Sequence, residues 1–235
     1  MLDQKNKTER ENTGDKFNEF IQRNRTVIFS VISIIIILFI GAIIYISVKE
    51  NMDIKAAEKI DDLNRRFGDL KENIKDEESQ DDVNTLLDEL KIFAAKTRGF
   101  SGSKAWGIIG DIYSEKEKWM EAEEAYLNAA KIGKKTYLGP LAFFNAAAAA
   151  EEQGSLEKAI DYLTQSLSLN IEFPAAPRAQ FSIGRLNEQL GNYNEAKDAY
   201  FAVINNWSDL PVWQQLANSR IIAIDVKGPN EVTEN

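Results

Sequence analysis

The sequence predicts an all-α protein, a solenoid of helical hairpins behind one N-terminal transmembrane helix. Three observations predict it. Val27 to Val48 runs for 22 residues without a charge. An amphipathic stretch recurs as WMEAEEAY at Trp119–Tyr126, LEKAIDYL at Leu156–Leu163 and YNEAKDAY at Tyr193–Tyr200, with Ala122, Ala159 and Ala196 each 37 residues apart. The prolines keep the same register, Pro140 with Pro177 and Pro174 with Pro211. Unrelated amphipathic helices would not carry their flanking prolines at one period, so the period marks a structural repeat.

Residues 1–26 form a polar tail with six Lys/Arg against five acids. Residues 27–48 follow as the transmembrane helix. At about 1.5 Å per residue they match a hydrocarbon core of roughly 30 Å. A cleaved signal would carry an apolar region of about 7–15 residues ending in small residues, whereas this run is longer and ends Ile46-Ser47-Val48-Lys49-Glu50. Lys and Arg are balanced on its two sides, but the positive-inside rule applies to short flanks. The tail ending Arg23-Asn24-Arg25 is therefore expected in the cytoplasm and the long acidic part outside. Phe17, Phe20 and Ile21 stand at i, i+3, i+4, either at the membrane interface or in an early turn of the same helix.

Residues 49–100 read as a helical hairpin, a degenerate repeat that caps the N-terminal end of the array. Ile60, Leu63, Phe67, Leu70 and Ile74 make one apolar stripe; Val83, Leu86, Leu87, Leu90, Phe93 and Ala94 make a second. Two heptads are too few for a coiled coil. Three repeats follow over 103–211 (103–139, 140–176 and 177–211). Small residues, Gly110, Ala147 and Gly184 in the first helices and Ala122, Ala159 and Ala196 in the second, let the paired helices approach while aromatics fill the space beside them. Gly154 and Gly191 suit a left-handed residue between helices. Pro140 and Pro177 suit the first turn of the next helix. A final helix over 212–226, with Trp213, Leu216, Ala217, Ile221 and Ile224 as one apolar stripe, reads as the C-terminal cap. Residues 227–235 read as a disordered tail.

Composition narrows function. The 235-residue chain has no cysteine and no histidine. Disulfides, thiol chemistry, thiolate or imidazole metal sites and His-based catalysis are thereby removed. Net charge is −9, and no Lys/Arg cluster suits a phosphate backbone, so nucleic acid is not an expected partner. The acidic pairs Asp61-Asp62, Glu77-Glu78, Asp81-Asp82, Glu123-Glu124 and Glu151-Glu152 read as solvated charge, coupled to no nucleophile or Gly-rich phosphate loop. No catalytic residue, cofactor or metal is expected, and the protein is not expected to be an enzyme.

The segment WGIIGDIY (Trp106–Tyr113), followed by Ala122, Tyr126 and Pro140, resembles the tetratricopeptide repeat (TPR) signature, making the expected fold a TPR-like helical-hairpin solenoid. Later copies keep less of it: Phe143 and Ala147 stand at the Trp and Gly positions of the second, and Gln180, Ile183, Gly184 and Asn187 fill the third. The period exceeds the usual length of about 34, which implies longer turns between repeats, as at Gly133–Gly139.

A short basic tail, one span and a C-terminal TPR-like array together resemble the YfgM-like family of bacterial inner-membrane proteins. That resemblance implies a single-pass protein of the bacterial inner (plasma) membrane, N-terminus cytoplasmic and array periplasmic, anchored in the lipid bilayer through residues 27–48. Its partners would be proteins, the Sec translocon or periplasmic chaperones among them. Two alternatives stay open: an envelope-assembly or cell-division organising factor, and a membrane scaffold facing the cytoplasm.

In TPR domains the first helices line a groove that holds a partner's peptide or helix. The resemblance places Lys104, Gly107, Ile108 and Asp111, then Leu141, Phe144, Asn145 and Ala148, then Arg178, Phe181, Ser182 and Arg185 in that groove. A carboxylate clamp of Lys and Asn is not implied, because Gly107 and Asp111 stand where Lys and Asn are wanted; only Asn145 and Arg178 fit. Phe144 and Phe181 are either two rings on the groove wall or ordinary inter-helix packing.

Overall fold

A computed structural model of the chain describes the backbone of residues 2–227 and the side chains of residues 18–226. The disorder expected at 227–235 concerns, past Lys227, residues outside those described, as does the side chain of Phe17. The helices are α1 (Leu2–Leu70), α2 (Gln80–Lys96), α3 (Gly99–Glu115), α4 (Trp119–Gly133), α5 (Leu138–Glu152), α6 (Leu156–Leu169), α7 (Ala176–Gln189), α8 (Tyr193–Asn206) and α9 (Pro211–Lys227), with no strand among the described residues. The chain divides into two compact units between Lys55 and Ala56.

In the first unit, the apolar part of α1 buries none of its faces. Five successive residues, Ile34 to Leu38, are each more than half exposed. A helix packed on a protein core would cover one stripe of these. This is the one stretch among the described residues with the length and composition of a membrane span, and an N-terminal signal sequence shares those properties. Phe20 is 59% exposed and lies in the same continuous helix.

The second unit begins with the last turns of α1. Ile60, Leu63, Phe67 and Ile74 meet Val83, Leu86, Leu87, Leu90 and Ala94 of α2 in a core that runs on into α3 through Ala105, Ile108, Ile109 and Ile112. Neither stripe could be covered by its own helix, and α3 closes the hairpin as one repeat closes the next.

From α3 onward the 37-residue period reaches individual backbone bonds. Lys118 N–H donates to Tyr113 C=O at 2.9 Å, Ser155 to Ala150 at 2.9 Å and Asn192 to Asn187 at 2.8 Å. Each bond closes the turn inside one hairpin. The residue before each donor is left-handed: Gly154 and Gly191 at φ 73° and 77°, and Glu117 at φ 57°. Glu117 thus occupies the glycine position of the first hairpin with a side chain, at a cost of about 1–2 kcal/mol, and its carboxylate pairs with Lys75 at 2.6 Å.

Two buried serines bridge equivalent positions with opposite polarity. Ser103 Oγ donates to Ala129 C=O at 2.9 Å, and Ser166 Oγ donates to Pro140 C=O at 2.6 Å.

The small residues of the first helices have a specific counterpart. A Cβ placed on Gly110 would lie 2.5 Å from the Tyr126 ring, and one on Gly184 would lie 2.6 Å from Tyr200. In the middle repeat the same two positions hold Ala147 and Leu163, both buried in one cluster. Where the first helix gains a methyl, the second loses its ring.

One expected packing position differs, and the residues that open the second helices are only partly covered. Leu216 is 42% exposed, because it lies about 100° around the helix from Ala217; the buried stripe of α9 is Ala217, Ile221 and Ile224 with Trp213 packed beside it. Tyr193 is 40% exposed, and Trp119 and Leu156 are half-buried, since each opens its helix and reaches only the edge of the stack.

Candidate partner-binding face

The first helices of successive hairpins are stitched to one another by cations. Lys104 on α3 pairs with Asp61 at 3.0 Å. Arg178 on α7 stacks over the Phe144 ring of α5, its guanidinium carbon 5.5 Å from the centroid. Arg185 pairs with Glu151 of α5 at 2.7 Å. Arg220 on α9 repeats the pattern against Glu188 of α7, with Nε to Oε2 at 3.1 Å and a second contact through Nη2. Each interaction joins neighbouring repeats.

Six of the twelve expected groove residues, Lys104, Gly107, Ile108, Asp111, Leu141 and Asn145, line one cleft of about 150 Å³. Asn64 of α1 and Tyr126 of α4 are among the other residues that line it. Ile108 is 4% exposed and serves mainly as core, whereas Leu141 is 38% exposed. Asp111 accepts a hydrogen bond from Tyr126 Oη at 2.7 Å. Burial pushes its carboxyl above the ordinary range, and the Tyr126 hydrogen bond and the Lys71 charge counteract this only in part. The one cation in the cleft, Lys104, is engaged by Asp61, and Asp111 by Tyr126; the amides of Asn64 and Asn145 are further polar groups of the lining.

The remaining six groove residues, Phe144, Ala148, Arg178, Phe181, Ser182 and Arg185, are not in the cleft. Phe144 packs edge-on against Phe173 at 6.3 Å, and Phe181 lies between Tyr200 and Trp213 at 5.2 and 5.8 Å. Both rings are half-buried. Arg178 and Arg185 are held as described, and Ala148 is exposed.

One residue taken for solvated charge is buried. Glu123 is 5% exposed. It accepts from Tyr162 Oη at 2.8 Å, Gln153 Nε2 at 2.8 Å and Lys158 Nζ at 3.0 Å, all from the next repeat. Burial alone would raise its carboxyl; the three donors outweigh burial and hold it below the ordinary range. Its neighbour Glu124 is exposed, and no local feature of the pair separates them. What separates them is helical phase, since Glu123 follows Ala122 onto the side facing α5 and α6. Charged hydrogen bonds contribute about 1.5–3 kcal/mol, so Glu123→Gln is expected to lower stability at neutral pH by about that much. A depressed carboxyl contributes stability above the unfolded value near about 4.3 and loses it as pH falls through the folded value. The gap between wild type and variant should therefore close on acidification below about pH 4, read by denaturant midpoints at each pH.

Tetratricopeptide-repeat family models match residues 141–170 and 177–204, the hairpins α5–α6 and α7–α8. The hairpin α3–α4, where the WGIIGDIY signature is fullest, lies outside that match. A TPR repeat-containing protein of Treponema pallidum (strain Nichols) is 35% identical over 130 residues, 55% of this chain and 54% of that protein. The chain thus spans about half the length of that relative. Among solved structures, the nearly identical TPR-like repeats of a putative kinesin light chain from Podosopora anserina superpose with a TM-score of 0.51 at 17% identity, covering 64% of this chain and 77% of that one. The apo form of RapI superposes with a TM-score of 0.50 at 15% identity, over 65% of this chain and 58% of that one. At such identities the likeness is one of fold. The chain carries tetratricopeptide repeats, and a TPR solenoid is an interaction scaffold.

Proposed function

We propose that this protein is a non-catalytic scaffold, anchored in the bacterial inner membrane by Val27–Val48, that holds protein partners against its repeat array on the periplasmic side. The observation that carries this reading is the pairing of an apolar helix with no covered face and a repeat array with a mostly apolar cleft that holds a carboxylate and amides in its lining. A partner's peptide or helix would run along the first helices. Its apolar side would rest on Leu141, and its donors would reach Asp111 and Asn145. Lys104, Ile108, Phe144, Arg178, Phe181 and Arg185 would shape that wall from within the protein. Periplasmic orientation is supported by the short flank ending Arg23-Asn24-Arg25, because the positive-inside rule acts on short flanks and long domains translocate largely regardless of charge. Partners in envelope protein handling, translocon or periplasmic chaperones, follow from the YfgM-like layout.

Carbonate extraction of membranes tests the anchor: the full-length chain is expected to stay in the pellet. A shortened chain in the supernatant would identify the segment as a cleaved signal. Protease admitted through a permeabilised outer membrane is expected to digest the array and spare a tag at Met1. Protection of the array would place it in the cytoplasm and remove the periplasmic reading.

A further inference from the structure

The cleft lies where the first hairpin departs from the repeat. Gly107 of α3 stands 37 residues before Phe144 of α5, which stands 37 before Phe181 of α7. In the later hairpins a ring fills this position and packs on Phe173, or on Tyr200 and Trp213. At Gly107 there is no ring, and an added Cβ would meet nothing within 4 Å. Gly107 lines the resulting space together with Asp111, Asn64, Leu141 and Asn145. Asp111 is a second departure, since its counterparts at the same period are Ala148 and Arg185. The missing ring and the added carboxylate fall four residues apart, on one face of one helix.

Asp111 has unused capacity. Its Oδ1 accepts from the Tyr126 hydroxyl. Among the described residues no buried side-chain oxygen lacks a hydrogen-bond partner, so Oδ2, which has none, is open to solvent. No cation forms an ion pair with Asp111 among those residues: Lys104 is held by Asp61, and Lys71 acts only from a distance, against Glu115 on the same helix. Burial raises its carboxyl, as befits a charge short of partners.

We propose that, on the reading of this face as a peptide groove, the cleft receives an arginine side chain of the bound partner segment, its guanidinium donating to Asp111 Oδ2 and to the amide oxygens of Asn64 and Asn145. Acceptors at separate points suit a planar fork of five N–H donors better than the single point charge of a lysine. Ile108, Ala129, Leu138 and Ala142 make the rest of the lining mostly apolar, which suits the methylene stem. A partner's C-terminal carboxylate would meet Asp111 with no unpaired cation in the lining to receive it. A metal ion would want several ligands, and no group of three or more acidic side chains is placed to hold one among the described residues. Pockets for small molecules span roughly 300–1,000 Å³, so a cleft of about 150 Å³ receives one side chain and not a free ligand.

The full-length protein in native membranes, carrying p-benzoylphenylalanine in place of Tyr137, provides the test. Tyr137 is 62% exposed and precedes Leu138 of the cleft, so the exchange is ring for ring beside the site. The partner segment attached on irradiation, identified by mass spectrometry, is expected to contain an arginine. Asp111→Asn keeps an oxygen for the Tyr126 hydroxyl and removes the charge. It should not lower the melting temperature, and it should reduce the yield of that adduct roughly tenfold or more, the loss expected when a charged hydrogen bond is removed. Gly107→Phe, which restores the ring of the later hairpins, should reduce the yield as strongly. A synthetic peptide of the captured segment should bind the full-length protein in detergent roughly tenfold more weakly once its arginine is replaced by glutamine, and Asp111→Asn should bind the two peptides alike. Loss of the adduct in Gly107→Phe with full yield in Asp111→Asn would overturn the arginine site and leave the groove standing. A captured segment without arginine would do the same. No adduct at all, or full yield in both variants, would overturn the groove reading together with the arginine site.

Discussion

Replacing Tyr200 by alanine is expected to lower the unfolding free energy of the repeat unit by about 3–5 kcal/mol, a fall in melting temperature on the order of 10 °C. Tyr200 is 0% exposed, and its hydroxyl donates to Glu188 at 3.1 Å, the same carboxylate that Arg220 of α9 engages. Burial, with Glu188 beside it, pushes the phenol up to about 12, so it stays a neutral donor at physiological pH. The loss therefore combines a cavity with a weakened link between α7 and α9.

The same ring supplies a sharper experiment. Gly184→Ala alone should destabilise, because the gain in helix propensity of about 1 kcal/mol is outweighed by overpacking of about 1–3 kcal/mol where the new methyl would lie 2.6 Å from Tyr200. Combining Gly184→Ala with Tyr200→Leu recreates the Ala147 and Leu163 pair of the middle repeat. The double variant should lose less than the sum of the singles by about 1 kcal/mol or more. Additive losses in circular-dichroism melts would show that the glycine and the ring do not share a constraint.

Phe144→Ala with Phe181→Ala is expected to cost about 2–3 kcal/mol at each site, somewhat below the 3–5 kcal/mol of a fully buried ring. Each ring is half-buried against aromatic neighbours, Phe173 of the α6–α7 connection for one and Tyr200 of α8 with Trp213 of α9 for the other. Both changes together should melt a marginal array. Partner capture, followed by cross-linking in intact membranes, should then fail along with folding. Leu141→Ala and Asn145→Ala separate the two effects. Leu141 and Asn145 line the open cleft, so these variants are expected to stay within about 1 kcal/mol of wild-type stability while capture weakens. A double Phe variant that remains folded and captures partners normally would remove the rings from both roles.

Much of the architecture was legible because its signals are local. The uncharged run at 27–48 needs only its own composition to be read. The two stripes of the N-terminal hairpin follow from spacing along one helix. The 37-residue period predicted turns at Gly154 and Gly191, and carrying that period back to Glu117 would have found the third left-handed turn. The candidate binding face was less legible. The resemblance pointed to residues on the first helices; six of them share a cleft, while Lys104, Arg178 and Arg185 are each engaged by a neighbouring repeat.

The sequence by itself determined that the chain is helical, repetitive and split between an apolar helix and an acidic array, because periodicity, turn residues and net charge are properties of segments. Only the tertiary structure decided which charges are free. Glu123 and Glu124 are adjacent and identical in kind, yet one is buried among Tyr162, Gln153 and Lys158 and the other faces water. The partners that make the difference lie 30 to 39 residues away. Desolvation and pairing act through space over a few ångströms, so the state of a carboxylate is set by whichever repeat is stacked against it.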